Sequence, residues 1–397
     1  MNTKFFLVLL LIFSVLPVIA QDSNLTADCV VDYAEDINYF PEQVEILDAQ
    51  NFTVEYFNNY KVVTVSDAYD TASEFHYVLV QCGTPAPSAD EFPEDTQFIE
   101  VPAGDIITMS TTQLPHLKEL GLLDKLVGIE SILYVNTQEV VDLFEAGELV
   151  EVGSGSEVNV EVVLDIDPSL VMTFGYNPDT DAHPILIEAG INTVLNASWR
   201  ENTPLARAEW IKYVSLFYNV EAQAEVIYDD ISNQYNEARE LAATISPEDR
   251  QTVLWNYFSP YSDSWTIPGA ETYIGAMIRD AGGNIALGDE APNNSVDLGF
   301  EVVYDRASEV DLWMIGAFGV STLEEFLAQD SRYEDFSAFM NGNVWNNNHQ
   351  QNVNGGNNYY ELGVTNPHLI LQDLVAMFYP ELLPDHEFTF YHQLKAE

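Results

Sequence analysis

The sequence predicts an α/β protein of two similar lobes joined by one long α-helix, with a small β-rich extension ahead of them. Three observations carry that prediction. From Thr203 to Ile245 there is no glycine and, after Pro204, no proline. Within that stretch Ala224, Ile227, Ile231, Tyr235, Ala238 and Leu241/Ala242 recur at steps of three and four, which marks one apolar helical stripe. Strand-like and helix-like pieces alternate on both sides of it. Finally, the chain echoes itself about 140 residues apart. Glu161-Val162-Val163-Leu164-Asp165, an apolar strand at Leu170 to Phe174 and Gly175 are answered by Glu301-Val302-Val303-Tyr304-Asp305, Leu312 to Ile315 and Gly316.

In chain order, Lys4, the apolar run Phe5 to Leu16 and Val18-Ile19-Ala20 have the layout of a secretory leader over residues 1–20. Residues 21–95 are the β extension. Its strands are Thr53 to Phe57, Lys61 to Val65 and His76 to Val80, and a loop over Thr84 to Asp95 closes it. The first lobe spans 96–202. It opens with strands Phe98 to Pro102 and Ile106 to Met109, a Ser110-Thr111-Thr112 cap, a helix from Gln113 to Leu120 stopped by Gly121, and the strand Leu126 to Ile129. So short a βαβ unit requires its strands to be parallel. A helix at Val160 to Leu164, the strand to Phe174, a helix at Ile185 to Ala189 and a strand at Thr193 to Leu195 complete the lobe.

The linker occupies 203–246. Asn202 or Thr203 caps it, Pro204 fits its first position, and Asn219 breaks it into a helix to Tyr218 and a longer one from Val220. A helix of about twenty-five residues is about 38 Å long, the width of a domain. The second lobe, 247–397, has a strand at Thr252 to Phe258 and an aromatic loop through Tyr261 and Trp265 to Gly269. After these come a helix at Tyr273 to Ala281, the echo, an Asn-rich loop from Asn346 to Asn358 and a closing helix at Pro367 to Phe378.

The chain has 397 residues, 47% apolar and 12% aromatic, enough to fill more than one core. Its 64 acidic against 13 basic residues give a net charge of −51, which makes nucleic acid and anionic membranes poor partners. The two cysteines, Cys29 and Cys82, read as one disulfide in an oxidising compartment, against the alternative of two buried thiols. Cys29 follows Asp28 rather than a small-residue cleavage site, which argues against lipid attachment. The chain carries no GxSxG, GxxxxGK[ST] or HExxH motif, so nothing in it points to an enzyme or to a bound cofactor.

From about Phe98 to Leu394 the chain resembles the substrate-binding proteins of bacterial ATP-driven importers, in the class with two Rossmann-like lobes joined by a rigid helix. The branch it looks most like delivers ferric siderophores, haem or cobalamin. The residues that carry the likeness are Glu119 to Gly128, Val152-Gly153, Asn159-Val160-Glu161 and Asp167 to Val171. Ala208 to Lys212, Asp280 to Asn284 and Phe378 to Pro384 add to it. The resemblance implies a periplasmic or extracytoplasmic monomer, binding an iron chelate between its lobes and docking on a membrane permease through acidic residues. Glu301, with Asp179 or Asp181 on the first lobe, fits the docking role.

A cleft between lobes is lined by the loops at strand ends. On the first lobe these offer Thr111, Thr112, Gln113, His116, Tyr134, Tyr176, Trp199 and Arg200. On the second they offer Tyr257, Tyr261, Trp265, Trp345, Asn346, Asn358 and Tyr359. Aromatic walls with a few directional polar groups suit a bulky planar ligand, and Arg200 can meet an anionic chelate or a neighbouring glutamate. A zinc or manganese carrier of the same architecture is the competing reading, with His116, His183 and His349 as ligands.

Overall fold

A computed structural model describes residues 22–69 and 73–396; the leader-like segment 1–20 lies outside the described residues. In the extension, strands β1 (Phe52–Tyr56), β2 (Tyr60–Val65), β3 (Phe75–Gln81) and β4 (Gln97–Val101) form one sheet in that order. β4 corrects the sequence reading, which gave Phe98 to Pro102 to the first lobe: it runs parallel to β3, with Val80 opposite Glu100. An apolar run between turns says that a strand exists but not which sheet edge it joins. Here Ile99 and Val101 fill the extension's core while Glu100 faces out. Cys29 and Cys82 are bonded, tying the leading segment to the end of β3.

The first lobe contains β5 (Ile106–Thr108), α1 (Leu114–Glu119), β6 (Leu126–Ile129), α2 (Gln138–Glu145), β7 (Val150–Glu151), α3 (Val160–Ile166), β8 (Leu170–Thr173), α4 (Ala182–Glu188) and β9 (Thr193–Leu195). Its sheet is parallel throughout, in the order β7-β6-β5-β8-β9. Every residue of β5, β8 and β9 is buried, as expected of parallel strands covered on both faces. The order reverses between β5 and β8, the place where an open α/β sheet can accommodate a crevice at its strands' carboxyl ends.

The linker is α5 (Pro204–Ala208), α6 (Trp210–Leu216) and α7 (Glu221–Ala242). The Thr203 hydroxyl accepts from the Ala206 N–H at 3.3 Å, and Asn219 takes a left-handed φ of 57° at the break. The stripe of α7 is divided between two cores. Ala224, Tyr228 and Ile231 belong to the first lobe's, and Tyr235, Ala238 and Ala242 to the second's.

The second lobe runs β10 (Thr252–Trp255), β11 (Trp265–Ile267), α8 (Tyr273–Asp280), β12 (Asn284–Ile285), β13 (Val296–Leu298), α9 (Phe300–Ala307) and β14 (Leu312–Ile315). It continues with α10 (Leu323–Leu327), α11 (Ser337–Met340), β15 (Val344–Asn346), α12 (Asn358–Thr365), α13 (Pro367–Phe378) and β16 (His392–Gln393). The sheet order is β12-β10-β14-β15-β16, parallel except for β16. The expected aromatic loop is in part a strand: β11 pairs antiparallel with β13 and carries Trp265 into the core.

The extension is bolted to the linker by buried charge. Lys61 Nζ donates to the Leu216 carbonyl (2.5 Å), Asn219 Oδ1 (2.9 Å) and Glu221 Oε1 (2.6 Å), and Asn24 Nδ2 donates to Glu221 Oε2 at 2.9 Å. Nearby, the Glu209 carboxylate accepts from the N–H groups of Leu47, Asp48 and Ala49 at 2.7–2.8 Å and pairs with Lys212 at 3.1 Å. Burial pulls the Lys61 ammonium below its ordinary pKa, and Glu221 pushes it back up. Removing one member of such a pair strands the other. We expect Lys61→Met to cost about 3–5 kcal/mol, seen as a lower urea midpoint with an unchanged slope.

Candidate functional site

The turn after β9, the start of α8, the segment leading into β13 and α12 border a cavity of about 640 Å³ between the lobes. The first lobe contributes Trp199 and Arg200, α5 contributes Arg207, and the extension contributes Asp67. The second lobe contributes Tyr273, Asn294, Tyr359 and Tyr360. The turn after β9 holds Trp199, whose Nε1 donates to the Gly175 carbonyl at 2.8 Å in the loop that follows β8. The Arg200 guanidinium lies 5.2 Å from the Trp199 ring centroid and 3.3 Å from Asp67 Oδ1.

Arg207 is the electrostatic centre of this cavity. Its Nε donates to the Glu201 carbonyl at 2.9 Å, and its guanidinium covers the Tyr273 ring at 4.0 Å. Among the described residues no carboxylate lies within ion-pair distance of it. Burial lowers its pKa, opposed by the Tyr273 and Tyr359 phenols and by Glu201. Burial also raises the Tyr273 phenol to about 12 and Tyr359 further, so both stay protonated and able to donate. A largely desolvated guanidinium whose nearest acid, Glu201, acts on it without ion-pair contact gains from an anion bound beside it.

A second interlobe cavity, of about 540 Å³, lies where the Ile132–Val141 segment faces the Asn-rich loop. It is lined by amides, His349 and aliphatic side chains such as Leu133, without an acid, lysine or arginine. Between the two cavities α12 reaches across. Its Glu361 carboxylate accepts from the N–H groups of Asn136 (2.7 Å) and Thr137 (2.8 Å) at the start of α2. Asn352 Nδ2 donates to the carbonyls of Leu133 and Val135 at 3.0 and 3.1 Å, giving a second bridge.

Of the residues expected in the cleft, Trp199, Arg200 and Tyr359 line the first cavity and Asn358 the second. Tyr176 is exposed with its ring 6.0 Å from Trp199, and Tyr134 is exposed on the loop that Asn352 grips. Thr111 and Thr112 form a turn against α12. Gln113 is buried and turned inward, bonding the Met109 N–H and the Thr173 carbonyl.

The second lobe's aromatics scatter. Tyr257 and Tyr261 line a separate cavity of about 660 Å³ beside Arg332. Trp265 is fully buried, 5.4 Å from Trp313, and is removed from the wall. Trp345 packs against Phe388 with ring centroids 4.8 Å apart and planes tilted by 44°, and Asn346 is buried with its amide on the Ala317 and Val320 carbonyls. An aromatic outside a periodic segment is as often a strand or core residue as a wall. Sequence reasoning missed Asp67, Arg207, Tyr273 and Tyr360. A cation is scarce in so acidic a chain, and Arg207 carried that signal.

Among the acidic candidates, Glu301 is exposed, 3.9 Å from Arg332, and Asp179 is exposed as well. Asp181 is buried, its carboxylate accepting from the N–H groups of Tyr176 and Asn177 at 2.7 and 3.2 Å. It shapes the loop and is not open for docking. The echo pairs Glu301, in the first turn of α9, with the exposed Glu161 in the first turn of α3.

Two α/β lobes on one rigid helix, with a cation and aromatic rings in the gap, define a solute-binding protein. The profile of the periplasmic binding protein family matches residues 106–347, and the chain belongs to that family. An uncharacterized lipoprotein of Methanocaldococcus jannaschii is 24% identical over 391 residues, covering 95% of this chain and 88% of the relative. The fold is also similar to that of the periplasmic heme-binding protein RhuT from Roseiflexus sp. RS-1, with a TM-score of 0.52 and 19% identity over 70% of this chain and 99% of that one. It is similar, too, to an ABC-type Fe3+-hydroxamate transport system from Saccharomonospora viridis, with a TM-score of 0.52 and 15% identity over 70% of this chain and 94% of that one.

The three histidines of the metal reading do not converge. His116 lies in α1, His183 in α4 against Thr173 (2.8 Å), and His349 beside His392 in the second lobe. Among the described residues the one grouping of three potential ligands is Cys29, Cys82 and Glu100, whose sulfurs are bonded to each other. Burial instead lowers His116 to about 3, and His183 and His368 to about 4. A histidine held neutral stabilises the fold above its unfolded pKa of about 6.5, and that contribution is lost as pH falls toward the folded value. We expect His116→Leu to shrink the stability lost between pH 7 and pH 5 by about 2 kcal/mol, measured by urea denaturation at both pH values.

Proposed function

We propose that the protein is the extracytoplasmic binding component of an ABC importer, capturing an anionic iron chelate, a ferric siderophore, in the cavity between its lobes. The observation that carries this reading is Arg207: a cation with no carboxylate in ion-pair contact among the described residues, lining one cavity with Tyr273, Tyr359 and Trp199, in a chain of net charge −51. A metal wrapped in an organic chelator presents the bulk, flat faces and negative oxygens that rings and a guanidinium recognise. A bare divalent ion would want converging carboxylates and imidazoles instead.

The leader-like segment 1–20 and the lipoprotein relative support a location outside the cytoplasmic membrane. Glu161 and Glu301, placed alike on the two lobes, are our choice for the carboxylates that meet the permease, and the protein acts as a monomer. Haem is the second reading, favoured by the heme-binding neighbour and by the fit of a propionate to Arg207.

Trp199 lies on the cavity wall, so binding should quench tryptophan fluorescence. We expect micromolar or tighter binding of a ferric chelate, and a loss of about tenfold or more in Arg207→Ala with an unchanged melting temperature. No response to catecholate, hydroxamate or carboxylate chelates, haem or cobalamin would sink the proposal.

A further inference from the structure

We propose that Glu201 is a positioning residue of the interlobe cavity: it ties Arg207 to the N-terminal extension, and its charge sets how tightly an anion is held there. The inference rests on the reading of that cavity given above and deepens it.

The extension meets the linker along one strap, residues 45–51. Six N–H groups of the strap donate to three carboxylates. Glu45 donates to Glu225 at 2.7 Å, Leu47, Asp48 and Ala49 to Glu209 at 2.7–2.8 Å, and Gln50 and Asn51 to Glu201 Oε1 at 3.0 and 2.9 Å. Trp210 Nε1 donates to the same Glu201 oxygen at 3.1 Å, and the buried Trp210 ring packs on Phe52 of β1 with centroids 4.8 Å apart. Glu201 is only 3% exposed, so its carboxylate depends on those donors. All three use one oxygen. A neutral amide can accept the same three bonds, so the geometry of the grip does not require a charge.

Glu201 reaches Arg207 in two ways. Its carbonyl accepts from Arg207 Nε at 2.9 Å, and its carboxylate acts on the guanidinium without ion-pair contact. The carbonyl bond and the Tyr273 ring, 4.0 Å away, fix the plane of the guanidinium. Neither terminal nitrogen of Arg207 has a protein acceptor among the described residues. Those nitrogens suit a carboxylate or phenolate of a chelate. The Glu201 carbonyl thus aims the cation, while the Glu201 carboxylate competes with the guest for its charge. Substitution separates the two roles.

The purified chain is titrated with a ferric tris-catecholate at pH 8 and followed by tryptophan quenching. Glu201→Gln keeps an oxygen for the three donors and removes the charge. Binding should tighten about fivefold, and the gain should shrink as salt is added. Glu201→Ala is equally neutral but leaves the strap donors without their acceptor, so Arg207 loses its support. Binding should fall about tenfold below that of Glu201→Gln. In an Arg207→Ala background the same two substitutions should move affinity by less than about twofold. Should Glu201→Ala fail to fold, Glu201→Asp takes its place. It keeps the charge and draws the oxygens back by one methylene, and it should bind more weakly than the unaltered chain.

No gain in Glu201→Gln, or the same gain without Arg207, overturns the inference while the site stands. So does equal affinity of Glu201→Gln and Glu201→Ala, or of Glu201→Asp and the unaltered chain. If the unaltered chain does not bind the chelate, or Arg207→Ala leaves binding untouched, the reading of the cavity fails and takes this inference with it.

Discussion

The buried ammonium of Lys61 is the constraint on which the rest of the architecture depends. It closes three hydrogen bonds at the break between α6 and α7, to a carbonyl, an amide oxygen and a carboxylate. A helix break is where a linker would otherwise flex, because Leu216 has lost its helical partner and Asn219 has turned left-handed. The extension fills that gap with a charge, and Glu209 repeats the device one helix earlier by capping three successive N–H groups of the Leu47–Ala49 turn. Desolvating so many charged groups is tolerable only because each finds several partners. An N-terminal β-sheet and a helical rod thereby become one rigid body.

That rigidity reaches the cleft through the 199–207 segment. Trp199 is held by Gly175, Arg200 by Asp67, and Arg207 by Glu201, whose carboxylate is itself gripped by Gln50 and Asn51. The cations that line the interlobe cavity are thus held in place by the protein's own contacts, which would reduce the ordering cost of an anion binding there. Two of the chain's 13 basic residues are used in its interior. Lys61 and Lys212 are buried in ion pairs, and with 64 acidic against 13 basic residues in the chain the two arginines lining the interlobe cavity stand out in an acidic molecule.

Most of the fold was legible in the sequence because its signals are local. The Thr203 cap, Pro204 and the Asn219 break read directly from residue chemistry, and the echo of Glu161 to Gly175 in Glu301 to Gly316 gave two alike halves. What failed depended on partners far along the chain. Gln97–Val101 looked like any buried strand, and only its pairing with β3 assigns it to the extension. Trp265 looked like a loop residue until the strand at Val296–Leu298 came alongside. In the cleft, Trp199, Arg200 and Tyr359 stood beside recognisable strand ends or turns. Arg207 was hidden inside a helix and Asp67 inside an extension that the family likeness does not cover.

The division of the α7 stripe limits how the two halves can move. Ile231 is rooted in one hydrophobic mass and Tyr235, a single turn later, in the other. No stretch of bare rod separates them, so one half cannot swing freely about the other without tearing side chains out of a packed interior. The Glu361 and Asn352 bridges across the opposite side narrow the range further. Capture by such a frame works less like jaws shutting than like a shaped socket that gives slightly as its guest settles.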